Sequence, residues 1–115
     1  MIHLKSADTL KHLMRPMLRE ILGYIDFKTG NVTITSLYRT DERGIHSIFP
    51  LRAVDIRCRD HDVGYAIAAM VNSRFEYDPE RPEKQCAIPH GEGAKFHIHL
   101  QVHERTQKIS MEHSY

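Results

Sequence analysis

Three short stretches of the chain alternate apolar and polar residues, which is the pattern of a half-buried β-strand. They are residues 32–38, 52–57 and 96–102. Side chains point alternately to the two faces of a strand, so residues i and i+2 share a face. His97 and His99 are therefore predicted to project from the same face of the last strand. Two imidazoles about 6–7 Å apart along a strand can converge on one ion or one substrate.

The middle stretch places a carboxylate on one face of its strand. Asp55 shares that face with Ala53 and Arg57, whereas Val54 and Ile56 take the other face. A carboxylate among small residues suits an inward-facing ligand. Pairing with a neighbouring arginine is the alternative interpretation.

Helical spacing of apolar residues predicts two helices. The first is expected to begin at a cap on Ser6 or Asp8 and to run to about Leu22. Pro16 lies inside this pattern and predicts a kink or a break, and Gly23 predicts the C-terminal stop.

The second helix is expected to begin at a cap on Asp60 or Asp62 and to end at about Phe75. Its predicted apolar stripe consists of Val63, Ile67, Met70 and Val71. Both helices are interpreted as core packing.

A hairpin is predicted near the C-terminus. Residues 87–89 form a short candidate strand, and the glycine-rich turn at 90–94 leads from it into the histidine strand. The proline-containing segment 77–86 is expected to be an exposed loop, and the polar tail 104–115 is expected to be frayed.

These elements predict an α+β fold, with a small, mostly antiparallel sheet and helices packed on one side. The length of 115 residues corresponds to one domain, spanning residues 1–115 with a core at about 6–103. The 41% hydrophobic and 27% charged composition is that of a globular chain able to build a core without disulfides. Cys58 and Cys86 are accordingly interpreted as reduced, partly buried thiols, with a disulfide as the alternative.

Charge and hydropathy exclude several classes of partner. The formal net charge is +1, which gives no electrostatic basis for binding nucleic acid or an anionic membrane. No apolar run approaches the roughly 18–20 residues of a membrane span. The N-terminus lacks the apolar region of a secretory signal, so a cytoplasmic product is expected, which would need separate delivery to act at a cell wall.

Nine histidines are the unusual feature of the composition, because histidine is the commonest metal ligand. His46, Asp55 and the His97/His99 pair lie on three different segments. Two histidines and one carboxylate make a common catalytic zinc set, with the fourth position left for water. Zinc lowers the pKa of that water to about 7 and so generates a nucleophile. Arg39, after the end of a strand, can stabilise an oxyanion or hold a substrate carboxylate.

The residues in this order resemble a known enzyme family. Ser-Leu-Tyr-Arg-Thr at 36–40, Gly-Ile-His at 44–46, Arg-Ala-Val-Asp-Ile at 52–56 and His-Ile-His at 97–99 are similar to the motifs of the D-Ala-D-Ala carboxypeptidase group of zinc peptidases. That group shares its metal site with the hedgehog signalling domain and the lysostaphin-type endopeptidases. The resemblance covers about residues 32–102 and implies the same fold. It also implies a minimal catalytic domain of the kind found in bacteriophage genomes.

The resemblance implies a role for each matching residue. His46, Asp55 and His99 would bind one zinc ion, and His97 would assist catalysis. Arg39 would meet the substrate or the oxyanion. The expected function is hydrolysis of an amide bond in D-amino-acid-containing peptidoglycan peptides, as a carboxypeptidase or an endopeptidase.

Further residues complete or vary this assignment. Ser36 is expected beside Arg39 in substrate binding. His90 is an alternative third ligand or base, and Glu92 an alternative base. The chain departs from the family pattern around His46, where eight residues instead of six separate this histidine from Asp55.

Two other functions remain open at this point. One is a non-catalytic zinc-binding domain of the same fold. The other is a histidine-triad nucleotide hydrolase or transferase, because residues 97–102 also resemble the His-φ-His-φ-Gln pattern of that group, in which a histidine attacks an α-phosphate.

Overall fold

The computed structural model describes residues 2–4, 14–38 and 52–109, and of residues 2–4 and 36–38 it describes the backbone alone. The helices are α1 (Pro16–Thr29) and α2 (His61–Arg74). The strands are β1 (Ile2–Leu4), β2 (Val32–Tyr38), β3 (Ala53–Arg57), β4 (Phe75–Glu76), β5 (Ala87–His90), β6 (His97–Gln101) and β7 (Gln107–Lys108). Arg39 and His46, both predicted site residues, lie outside the described residues.

Within the described residues, five strands form the main sheet in the order β1-β2-β3-β6-β5. The β1–β2 pair is parallel and the other three pairs are antiparallel. Strands β4 and β7 form a separate two-stranded antiparallel sheet. The predicted α+β class with a small, mostly antiparallel sheet is confirmed, and so is the hairpin of β5 and β6.

The main sheet has one apolar face and one polar face around its centre. Val54, Ile56, Ile98 and Leu100 are at most 2% exposed and join one hydrophobic core with residues of both helices. The helical residues of that core are Met17, Leu18, Ile21, Leu22, Tyr24 and Ile25 of α1 and Ile67, Ala68 and Val71 of α2. Since strand side chains alternate, the polar residues between those apolar positions project from the opposite face.

Helix α1 begins at Pro16, in agreement with the predicted kink or break at this proline, and the predicted caps Ser6 and Asp8 lie outside the described residues. Proline suits the first helical position because its missing N–H needs no partner there. The predicted stop at Gly23 is wrong, since Gly23 is exposed inside the helix. The helix ends at Thr29, and the following Gly30 has the left-handed cap conformation, with a φ of 84°, and donates its N–H to the Asp26 carbonyl.

Helix α2 has the predicted cap. The Asp60 carboxylate accepts hydrogen bonds from the backbone N–H groups of Asp62 and Val63, at 2.9 and 3.2 Å. The predicted stripe is wrong at Val63, which is 48% exposed, whereas Gly64 is buried. The ring of Phe96 occupies the place of a Gly64 side chain, because a Cβ there would lie 2.5 Å from its Cε2 atom.

A side-chain amide joins α2 to the edge strand β5. The Asn72 Nδ2 group donates to the Ala87 carbonyl at 2.9 Å, and the Ala87 N–H donates to Asn72 Oδ1 at 3.0 Å. This pair of bonds satisfies both backbone groups of the first residue of β5. It therefore fixes the position of β5 relative to the helix.

A buried carboxylate orders the segment after α2. Asp78, in the segment predicted to be an exposed loop, is fully buried and accepts hydrogen bonds from Arg81 Nε at 2.9 Å and Arg105 Nη2 at 3.0 Å. Burial opposes its ionisation, but the Glu80 N–H and the two guanidinium groups outweigh burial and lower the pKa of Asp78.

Contacts with the segment after α2 also order the start of the C-terminal segment. The Thr106 hydroxyl donates to the Tyr77 carbonyl at 2.8 Å, and β7 pairs with β4. The prediction of a frayed tail from residue 104 is therefore wrong for residues 104–109. Side-chain hydrogen bonds to residues about 30 positions away hold this segment, and local composition does not reveal them.

Both cysteines are free and buried, in agreement with the interpretation as reduced thiols. Burial raises the pKa of Cys86 to about 12. Among the helices of the described part of the chain, neither is long and apolar enough to cross a membrane.

Candidate functional site

Asp55 lies at the centre of the main sheet. It occupies β3, the middle strand, where it pairs with Ser36 of β2 on one side and His99 of β6 on the other. Only 5% of Asp55 is exposed. An ionised carboxylate so far from water needs hydrogen-bonding or charged partners.

Two histidines of β6 contact this carboxylate. His99 Nδ1 lies 3.0 Å from Asp55 Oδ1, and His97 Nε2 lies 3.5 Å from Asp55 Oδ2. Both histidines are about one-quarter exposed. The predicted alternation is confirmed here: His97 and His99 share a face, and the antiparallel register brings Asp55 of β3 to that same face.

The tautomer of His97 follows from its second contact. His97 Nδ1 lies 2.9 Å from the Lys95 carbonyl oxygen. A carbonyl oxygen can only accept, so Nδ1 carries the hydrogen and donates it. The neutral form of His97 therefore presents the lone pair of Nε2 toward Asp55. In that form, the electron-rich atoms His97 Nε2 and Asp55 Oδ2 face each other unless a proton or a cation lies between them.

A glycine-rich turn positions the Lys95 carbonyl. Residues 91–96 join β5 to β6, and Gly91 and Gly93 have φ angles of 90° and 56°. A side chain at Gly91 would overlap the Lys95 carbonyl oxygen. Glycine at this position thus lets the turn close so that His97 can donate to the main chain.

An open cavity adjoins the two histidines on the β5 side. Its volume is about 310 Å³, and Ile88, His90, His97 and His99 line it. The ring centroids of His90 and His97 are 5.3 Å apart. A substrate in this cavity would contact the histidine pair directly.

Two members of the predicted zinc set come together in the described part of the chain, and the third, His46, lies outside it. Zinc binds nitrogen and oxygen at about 2.0–2.1 Å, so two tetrahedral ligand atoms lie about 3.3–3.4 Å apart. The 3.0 Å between His99 Nδ1 and Asp55 Oδ1 is the distance of a hydrogen bond, so a zinc ion between these atoms would take the place of the shared hydrogen. Within residues 14–38 and 52–109, no three His, Cys, Asp or Glu side chains form a metal-binding group.

The alternates take positions away from Asp55. His90 contacts the ring of His97, and among the described residues it forms no ion pair with a carboxylate. Glu92 is exposed on the turn before His97. Sequence reasoning missed the main-chain carbonyl of Lys95, although the two glycines before it were the available signal.

Comparison with known proteins adds no relative. The chain matches no protein-family model, and no curated protein or solved structure is significantly similar to it. The function is therefore inferred from the residues and their geometry.

Proposed function

We propose that this chain is a zinc-dependent peptidase that hydrolyses an amide bond in peptidoglycan peptides. One observation carries the proposal: a buried carboxylate on the central strand contacts two histidines of the neighbouring strand. The donor set is the one that zinc prefers, because imidazole nitrogen and carboxylate oxygen are its ordinary ligands besides thiolate.

In this proposal Asp55 and His99 hold the zinc ion together with His46. His99 offers Nδ1, the nitrogen that already faces Asp55. When bound, zinc supplies Lewis-acid activation of water and of the amide carbonyl. A hedgehog- or D-Ala-D-Ala-peptidase-like arrangement of the fold is part of the same proposal.

His97 is the proposed proton carrier. Because His97 Nδ1 is hydrogen-bonded to the Lys95 carbonyl, proton exchange takes place at Nε2, the His97 atom that faces the Asp55 carboxylate. From there the imidazole can accept a proton from the attacking water and return it to the leaving amine. The proposal also gives Arg39 and Ser36 the substrate contacts that the sequence motif implies.

The first test is the metal content of the purified full-length chain. We expect one zinc per chain in the wild type and loss of zinc in Asp55→Ala and His99→Ala. Asp60→Ala and His103→Ala are matched controls, since they remove the same side-chain types elsewhere, and both should retain the metal. A wild type that binds no zinc when zinc is supplied would contradict the proposal.

The second test is cleavage of purified peptidoglycan fragments, followed by mass spectrometry of the products. We expect His97→Gln to retain zinc and to lose at least 100-fold in kcat, which is the lower range for a general base. Zinc without any cleavage would instead favour a non-catalytic zinc-binding domain. Transfer or hydrolysis of a nucleotide without zinc would favour the histidine-triad alternative.

A further inference from the structure

A row of three basic residues crosses the polar face beside the Asp55 site. Arg57 of β3 pairs with His97 of β6, and His97 pairs with His90 of β5. Directly paired residues of antiparallel strands project from the same face, with Cβ atoms about 4.5–5.5 Å apart. The three side chains therefore follow one another across three adjacent strands.

This row lies next to the row that holds the proposed metal ligands. Asp55, His99 and Ile88 pair across the same three strands, two residues along from Arg57, His97 and His90. Two residues along a strand correspond to about 6–7 Å. The same distance spans about two residues of an extended peptide.

The outer members of the basic row are accessible. Arg57 and His90 are both exposed, whereas His97 is about one-quarter exposed. Within the described part of the chain, no carboxylate forms an ion pair with Arg57 or His90. His90 also lines the 310 Å³ cavity, so one end of the row opens into space that a ligand can occupy.

We propose that Arg57 and His90, which lie on either side of His97, form an anion subsite that binds a carboxylate of the substrate. The guanidinium of Arg57 supplies a permanent charge and a planar pair of donors that matches a carboxylate. His90 adds an imidazole N–H donor from the other side. This inference rests on the proposed function and narrows its substrates to peptides with a carboxylate within about two residues of the cleaved bond.

Binding can be tested without any turnover. The probe is glutarate, with neutral glutaramide as its isostere, titrated into the ¹⁵N-labelled full-length chain before and after removal of metal by a chelator. We expect glutarate to shift the backbone resonances of Arg57, His90 and His97, and glutaramide to leave them unchanged. Glutarate shifts that vanish on chelation would overturn the subsite, since the metal alone would then hold the anion.

Variants separate a built subsite from general attraction of charge. Arg57→Gln and His90→Gln should each weaken glutarate binding at least fivefold. Arg59→Gln is the matched control, because it removes the same charge from an exposed position just beyond β3 and should bind glutarate as the wild type does. Equal weakening by Arg57→Gln and Arg59→Gln would overturn the proposal.

Kinetics then link the subsite to catalysis. With a cleaved peptidoglycan fragment, Arg57→Gln should raise KM at least fivefold with little change in kcat. With the carboxamide form of that fragment, the variant and the wild type should have the same KM. If no fragment is cleaved but glutarate binds as expected, the proposed peptidase function fails and the anion subsite stands.

Discussion

Replacing Gly91 with alanine tests how the β5–β6 turn controls His97. The φ of Gly91 is 90°, and an added Cβ would overlap the Lys95 carbonyl oxygen and lie 3.0 Å from its carbon. That oxygen accepts the hydrogen of His97 Nδ1 at 2.9 Å. Gly93 is the matched control, because its φ is also positive, at 56°, but an added Cβ there meets nothing within 4 Å.

Both substitutions carry the cost of a positive φ at alanine, but only Gly91→Ala also displaces the Lys95 carbonyl. A non-glycine residue in the left-handed region costs about 1–2 kcal/mol, so Gly93→Ala should lower the free energy of unfolding by that amount. Gly91→Ala adds the displacement of the Lys95 carbonyl and the loss of a hydrogen bond that contributes about 0.5–1.5 kcal/mol. We expect a total loss of about 2–4 kcal/mol for Gly91→Ala.

Two measurements check this expectation. Urea unfolding gives the free energies, and ¹⁵N chemical shifts of the imidazole report which nitrogen of His97 carries hydrogen. The wild type and Gly93→Ala should show His97 with hydrogen on Nδ1. Gly91→Ala should show a mixture of tautomers, because the acceptor has moved. If both variants unfold alike and keep the wild-type shifts of His97, the Lys95 carbonyl does not set the tautomer.

The remaining predictions concern the scaffold. Gly23→Ala should raise the free energy of unfolding by about 1 kcal/mol, because alanine has the higher helix propensity. Gly64→Ala should lower the same free energy by about 1 kcal/mol, because overpacking against the ring of Phe96 exceeds the gain in helix propensity. Urea unfolding of both variants measures the two changes and their signs. Asn72→Ala should lower the same free energy by about 1–3 kcal/mol, because two backbone groups of β5 lose their partners, and an unchanged midpoint in urea would refute this. The lowered pKa of Asp78 means that its ionised form stabilises the fold above the unfolded-state pKa of about 4, and this contribution is lost as the pH falls through the folded-state pKa. The stability advantage of the wild type over Asp78→Asn should therefore shrink on acidification in thermal melts from pH 6 to pH 2. Burial raises the pKa of Cys86 to about 12, so iodoacetamide at pH 8 should alkylate it only at the rate of unfolding, and fast labelling of the native chain would contradict its burial.

The strands of the site were predictable because alternation is a local property of the sequence. Residues 53–57 and 97–101 lie within the predicted stretches, and the shared face of His97 and His99 follows from spacing alone. The contact of these histidines with Asp55 was not predictable in that way. It depends on which residue of β3 faces which residue of β6, and a shift of the register by one position would turn Asp55 to the opposite face.

The errors came from residues with two compatible roles. Gly23 was taken for a stop, although Gly30 holds the left-handed cap conformation. Asp78 lies in a polar, proline-containing segment that resembles a loop, and one of its two arginine partners, Arg105, lies 27 residues away, so the local sequence does not reveal its burial.

Asp55 occupies a buried position on the central strand of the sheet, where only 5% of the residue is exposed. The central strand is covered on both sides by neighbours, and an apolar residue at such a site is often as stabilising as a buried ion pair or more so. His99 Nδ1 lies within hydrogen-bond distance of the carboxylate, whereas His97 Nδ1 contacts the main chain and His97 Nε2 faces the carboxylate. One carboxylate and two imidazoles together supply donor atoms for the proposed metal site. The glycine turn that fixes His97 and the register that aligns His99 with Asp55 both produce that arrangement, which is why the proposed chemistry lies on the polar face of the sheet.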